Sequence, residues 1–257
     1  MEVLGFDLGP IVPFILIGFA AQMVDGALGM AFGVITNTLM VGLLGVPPAL
    51  ASQRVHLVEC FTTATSGISH LLHGNIDRAL FFRLLVPGVI GGLVGTYLIT
   101  SIDGDTIKPF VLIYLAGIGV WLLIRGLLYP PRVRQARHVA PLGLVGGFLD
   151  AAGGGGWGPI VTSNLLLQGA SPRHTIGTVN SVEFILTLSI SLTFLFHLGW
   201  ETFTTYTVGL LIGGVVAAPF GAMLARRIAP RFLFSAVGVI LTLTSAFGIG
   251  KWLGFIG

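Results

Sequence analysis

Apolar runs alternate along the chain with short polar or glycine-rich breaks, at approximately 10 to 24, 29 to 46, 50 to 72, 79 to 100, 107 to 128, 139 to 152, 156 to 168, 174 to 198, 204 to 226 and 232 to 254. Stretches such as Phe110 to Leu128 and Tyr206 to Leu224 are long enough to cross a hydrocarbon core of ~30 Å. They lack the period-two alternation of barrel strands, and a backbone in lipid must satisfy its own hydrogen bonds. The pattern therefore predicts an all-α integral membrane fold of about ten hydrophobic segments. The segments at 10 to 24, 29 to 46, 139 to 152 and 156 to 168 are too short for comfortable spans at about 1.5 Å per residue, and glycines separate the members of each pair. They are expected to be broken or re-entrant.

Composition removes the soluble alternative. Of 257 residues 54% are apolar and 9% charged, against about 25% charged in soluble domains. The net charge of +3 carries no nucleic-acid signal. A single cysteine, Cys60, excludes an internal disulfide and reads as a small core residue. Glu2 and Asp7 stand ahead of the first apolar run where a secretory signal would carry Lys or Arg, so the N-terminus reads as mature protein.

Polar residues carry a repeat. Glu59 and Glu183, His73 and His197, and Asp77 and Glu201 are each 124 positions apart (183 − 59). His56 then falls on Asn180. Val24-Asp25-Gly26-Ala27 matches Leu149-Asp150-Ala151-Ala152, and Gly95-Thr96-Tyr97-Leu98 matches Gly221-Ala222-Met223-Leu224. Loop charges then set orientation, since Lys and Arg accumulate on the cytoplasmic side. Arg78 and Arg83 follow the third segment of the first half, but Arg226, Arg227 and Arg231 follow the fourth of the second. The bias swaps, which predicts two inverted five-segment repeats, 1–129 and 139–257, joined by a basic cytoplasmic linker, 130–138, that holds Arg132, Arg134 and Arg137. Both termini, and the loop at Trp200-Glu201, are expected outside.

Candidate chemistry sits where this pattern is broken. Gly91, Gly92 and Gly95 have the spacing of close helix packing, and Ala217, Ala218 and Gly221 repeat it. The run Gly153-Gly154-Gly155-Gly156 is different, because each glycine costs a helix about 1 kcal/mol against alanine. It should be unwound before Trp157 and Pro159, with backbone N–H groups pointing into the break as an anion cradle; Gly29 and Met30 occupy the matching place in the first half. Asp25 and Asp150 precede the two breaks, where a carboxylate can accept their N–H bonds.

A polar stripe at Ser52, His56, Glu59, Thr63, Ser66 and His70 lies on one face of the third segment, with Arg54 beside it. Thr178, Asn180, Ser181 and Glu183 stand at related positions in the second half. An ionisable group inside a span costs ~3 kcal/mol or more and normally faces the bundle interior. Glu59 and Glu183 are thus the expected coupling groups; the bland alternative is a carboxyl that pins two helices. The substrate-binding set is Gly29, Met30, Arg54, His56, Gly153, Gly154, Gly155, Gly156, Trp157, Thr178, Asn180 and Ser181. His73 and His197 fall beside segment ends and read as interfacial. No metal-ligand spacing, phosphate loop or nucleophile motif is present, so no metal, cofactor or enzymatic activity is expected.

At Asp150-Ala151-Ala152-Gly153-Gly154-Gly155-Gly156-Trp157-Gly158-Pro159, followed by Gly177-Thr178 and His197-Leu198-Gly199, the chain resembles the sulfite exporter TauE/SafE family. Val24-Asp25-Gly26 through Gly33, then His73-Gly74-Asn75-Ile76-Asp77, looks like that family's first half. The resemblance implies a multi-pass exporter of the bacterial inner membrane that handles sulfite and related organosulfur anions. Leu28 and Met30 replace glycines of the second half, and Arg54 stands where that half has Thr178, so the halves are expected to contribute unequally. The alternatives are a transporter or channel for another small anion, or a non-transporting membrane enzyme or assembly factor. Coupling ion and assembly, a homodimer included, stay open at this level.

Overall fold

The structure, a computed structural model, describes residues 2–3, 6–7, 11–28, 30–128, 138–167, 172–199, 204–225 and 229–256. Gly29, the arginines of the linker, Trp200-Glu201 and Arg226-Arg227 lie outside the described residues. Residues 2–3 and 6–7 pair as a short antiparallel ladder. The remaining described elements are helices: α1 (Ile11–Leu28), α2 (Phe32–Thr38), α3 (Pro48–Leu72), α4 (Arg78–Ser101), α5 (Gly104–Leu127), α6 (Val139–Gly153), α7 (Ser163–Leu167), α8 (Pro172–Leu198), α9 (Thr205–Ala225) and α10 (Pro230–Trp252). A wider π turn, Leu39–Leu43, extends α2, and another, Gly158–Thr162, precedes α7.

Four described helices are long and apolar enough to cross a bilayer: Arg78–Ser101, Gly104–Leu127, His174–Leu198 and Phe234–Trp252. Ile11–Asp25, Phe32–Leu43, Val139–Gly153 and Thr205–Ala218 are shorter apolar helices. α3 has the length, 25 residues, but its polar stripe keeps it out of both groups. Large apolar side chains stay exposed on the outer helices, Phe82 at 64%, Phe110 at 65% and Leu243 at 66%, which water would not tolerate over such an area and lipid does. Helix starts are fixed locally. Asp77 accepts from the Ala79 and Leu80 N–H groups at 2.9 and 3.1 Å, and Asp103 does the same for Asp105 and Thr106 at 3.1 and 3.2 Å.

α1 packs chiefly on α9, α4 on α6, α3 on α8 and α5 on α10, so each main pair joins an element before residue 129 to one after residue 138. Glycines set how closely these pairs approach. A Cβ on Gly18 would meet the Leu210 backbone, its Cα at 2.8 Å, and a Cβ on Gly143 would meet the Leu84 carbonyl oxygen at 3.0 Å. On Gly91 it would strike the Leu144 carbonyl and on Gly95 the Phe148 carbonyl, so these two glycines form an α4–α6 packing face, while Gly92 between them lies against Leu186 and Ile190 of α8. In lipid, where apolar surface is not driven together by water, such close backbone contact holds helices through dispersion.

Candidate functional site

The two breaks meet each other inside the bundle. α1 ends and α2 begins around Ala31, whose φ of 116° is a left-handed value rare for a residue with a side chain. α6 ends at Gly153, followed by Gly154 at φ 66° and Gly155 at φ 138°. Gly155 lies against the first break so tightly that a Cβ there would collide with Val34 N and Gly33 C. The reciprocal Cβ on Gly33 would sit 3.0 Å from Gly155 Cα and 2.8 Å from the Glu59 carboxyl.

The backbone of the second break is satisfied by side chains from three other helices. Ser52 on α3 donates to the Ala151 carbonyl at 2.7 Å, Asn37 on α2 to Gly153 at 2.7 Å, and Tyr114 on α5 to Gly155 at 3.0 Å. These carbonyls lie at the C-terminal end of α6, where helix acceptors lose their intrahelical partners. On the other side of the break the Gly156 and Trp157 N–H groups donate to Asp150 Oδ1 at 2.8 and 2.9 Å. Phe32 N–H donates to Asp25 Oδ1 at 3.3 Å, seven positions on, as Trp157 is from Asp150. Both aspartates therefore cap the start of a broken segment, as their places in the sequence led us to expect. The cradle expected for an anion is, in this conformation, filled by the chain's own carboxylate.

Around this junction, besides Tyr114, gather four carboxyl groups and a histidine. His56 Nε2 is 3.1 Å from Asp150 Oδ2, with the two side chains 0% and 3% exposed. Glu59, one turn on, is 5% exposed, accepts from the Gly33 N–H and has no partner for Oε2. Asp25, bonded by the Gln22 side chain, and Glu183 are in Coulombic reach of Glu59 and of each other. Asn37 Oδ1 and Gln22 Oε1 are further buried acceptors without a partner among the described residues. Unmet acceptors of this kind cost about 1–3 kcal/mol each, so three of them together, among the described residues, mark a part of the interior not built for stability alone.

Not every residue expected at the site is brought to it. Trp157 is fully buried, donates from Nε1 to the Val179 carbonyl at 3.4 Å and lies where a Cβ on Gly88 would touch its ring, so it packs α4 and α8 together. Met30 is buried and accepts from Ser163 at 3.2 Å. Thr178, Asn180 and Ser181 point along α3 toward its C-terminal end: Thr178 Oγ1 accepts from Asp77 N at 2.8 Å, Asn180 donates to Ser66 at 2.7 Å, and Ser181 donates to the Gly177 carbonyl at 2.7 Å. Arg54 sits half-buried toward the opposite end of α3, its guanidinium 5.5 Å from the Tyr206 ring and its Nε without a partner among the described residues. His197 stacks edge-on against Tyr97 at 6.2 Å, in keeping with its place in the last turn of α8. Asn37, Tyr114, Gln22 and the Ser52–Ala151 bond are absent from the expected set; the polar triplet Thr36-Asn37-Thr38 inside an apolar segment was the available signal.

Comparison with known proteins places this arrangement. The probable membrane transporter protein YtnM of Bacillus subtilis (strain 168) is 39% identical over 253 residues, covering 95% of this chain and 84% of that protein. No solved structure matches the chain. The family described as sulfite exporter TauE/SafE matches residues 14–247, from the first turn of α1 to the last turns of α10, both breaks and the whole ionisable cluster included. A multi-pass membrane transporter rather than an enzyme, the chain belongs to the sulfite exporter TauE/SafE family.

Proposed function

We propose that this protein exports sulfite or a related small organosulfur anion across the bacterial inner membrane as a secondary, proton-coupled transporter. The observation that carries the reading is the meeting of two helix breaks at a buried cluster of Asp25, His56, Glu59, Asp150 and Glu183. A bilayer interior charges several kcal/mol for each such group, and broken helices at a central site are what alternating-access carriers use to hold small ions. An anion among four carboxylates requires protons to move with or against it. Glu59 and Glu183 are the groups whose charge state sets that requirement.

An inverted-repeat reading is supported by the helix pairing. If α1 to α5 correspond to α6 to α10, then α3–α8 and α5–α10 pair like with like, and α1–α9 and α6–α4 are one contact made twice. Gly18 on Leu210 and Gly143 on Leu84 are that contact at single-residue level. Inversion places both termini and Glu201 outside and Arg134 inside. In a background free of Cys60, an impermeant thiol reagent on intact cells is expected to label a cysteine at position 201 and to spare one at 134; labelling of both refutes the orientation.

Radiolabelled anion flux into vesicles, across sulfite, organosulfonates and other small anions, tests the substrate class. Preference for a non-sulfur anion overturns it. Arg54 offers a planar fork near one end of α3, its Nε without a partner among the described residues. Arg54→Gln is therefore expected to raise the half-saturating anion concentration more than it lowers maximal flux, and an unchanged concentration dependence removes Arg54 from the route.

A further inference from the structure

Within the ionisable cluster, one contact has a proton count fixed by donors and acceptors alone. His56 Nδ1 is 2.7 Å from the Ser52 carbonyl oxygen, which can only accept, so Nδ1 carries a hydrogen. The Ser52 hydroxyl, 3.2 Å from the same nitrogen, has spent its hydrogen on the Ala151 carbonyl at 2.7 Å and cannot supply one. The other ring nitrogen, Nε2, faces Asp150 Oδ2 at 3.1 Å. With Nδ1 protonated, a neutral imidazole would present the Nε2 lone pair to a carboxylate lone pair at that distance. A further proton must lie between them, on Nε2 or on Oδ2.

We propose that the transported proton is seated on the His56–Asp150 pair, and that its presence keeps Asp150 clamped over the second helix break. This rests on the proton-coupled reading above and assigns the carrier. Transfer between Nε2 and Oδ2 moves the proton within the pair and changes nothing else. Release leaves an imidazole protonated at Nδ1 beside an ionised carboxylate, and the 3.1 Å contact becomes repulsive. Nδ1 offers no relief, because its hydrogen is held by Ser52. Asp150 relieves the contact by turning away, which lifts Oδ1 from the Gly156 and Trp157 N–H groups that it now holds. Proton occupancy at one atom pair is thereby read by the backbone of the break.

The ionisable neighbours are few. Glu59 on α3 acts on His56, while Glu183 on α8 and Tyr114 on α5 act on Asp150; Asp25 on α1 reaches the pair through Glu59. α2 and residues 158–162 carry no ionisable side chain. On α9, Tyr206 faces Arg54, and the ionisable residues of α4, Arg78, Arg83 and Tyr97, lie toward its ends.

Full-length protein in vesicles with an entrapped pH indicator, given a gradient of radiolabelled methanesulfonate, tests the assignment. Asp150→Asn keeps an oxygen for Gly156 and Trp157 and offers its amide hydrogen to Nε2, so the cap stays intact while the exchangeable proton is gone. It is expected to lose anion-driven proton movement, as is His56→Gln. Wild-type coupling in both variants overturns the seat while leaving proton-coupled transport standing. Methanesulfonate flux without proton movement in the wild type overturns the coupling reading and the seat together. Histidine 15N spectra in nanodiscs, with the His56 signal identified by its loss in His56→Gln, read the pair without cargo. Nδ1 is expected to stay protonated while Nε2 responds to pH, and Nε2 is expected to stop responding in Asp150→Asn. An Nε2 signal indifferent to pH in the wild type, or one that titrates alike in Asp150→Asn, refutes the proposal even if methanesulfonate is not carried.

Discussion

Gly155→Ala is expected to cost about 2–5 kcal/mol and to leave little folded protein, from a left-handed backbone worth about 1–2 kcal/mol and overpacking worth about 1–3 kcal/mol. The added methyl group would strike Val34 N and Gly33 C, which belong to the backbone of the opposite break and cannot swing aside. Gly154→Ala has φ 66° to contend with and would displace the Asn37 amide from the Gly153 carbonyl. Sequence reasoning expects leucine at either position to abolish flux with the fold intact; the observed packing moves the loss to the fold itself. Thermal melting and size-exclusion profiles in detergent check this, with Gly117→Ala as the control, since a Cβ at Gly117 meets nothing within 4 Å. A Gly155→Ala protein as stable as the parent would show that the two breaks do not touch.

Glu59→Gln is expected to keep flux and to weaken its fall with rising pH, leaving the dependence that Glu183 and the His56–Asp150 pair contribute. An ionised Glu59 within about 4 Å of a bound anion would oppose it by about 4 kcal/mol at an effective dielectric of about 20, so wild-type flux should fall as rising pH ionises the site. Glutamine keeps an oxygen for the Gly33 N–H and never ionises, hence the variant should exceed the wild type at alkaline pH. Glu183→Gln is expected to act in the same direction. The measurement is methanesulfonate uptake into vesicles across pH, because that anion keeps its charge throughout. Full activity with an unaltered pH profile in both variants would make the carboxylates scaffold.

Much of the architecture is legible in sequence because lipid leaves a backbone so few options. The short segments fall at α1, α2, α6 and α7, and four of the six longer ones, 79 to 100, 107 to 128, 174 to 198 and 232 to 254, at the helices able to span, because apolar length and glycine breaks are local signals. The segments at 50 to 72 and 204 to 226 do not, the first for its polar stripe and the second because its described apolar stretch, Thr205–Ala218, is shorter. The caps of Asp25 and Asp150 are equally local, six or seven residues from their N–H donors. What is not legible is long-range. His56 and Asp150 are 94 positions apart, and nothing in the periodicity of α3 or α6 says that they touch. Trp157 looks like a pocket residue beside four glycines; its burial against Gly88 and Val179 depends on where α4 and α8 come to lie. Thr178 and Asn180 stand 124 positions after Arg54 and His56, yet they bond to Asp77 and Ser66, since α8 runs antiparallel to α3 and equal offsets lie at opposite ends of the pair.

The exchange of partners between the two parts of the chain bears on how the protein is made. α1 and α4 leave the ribosome before α9 and α6, so for part of synthesis their glycine-lined faces have only lipid against them. The Asp150 cap, the Asn37 and Tyr114 bonds to the second break and the His56 contact all wait on residues beyond 138. A nascent chain halted at the linker would hold Glu59 and Asp25 in the membrane with no partner from the later helices, a state that quality-control proteases can distinguish from the finished bundle. Two separately expressed pieces divided between α5 and α6 should therefore accumulate only when both are present.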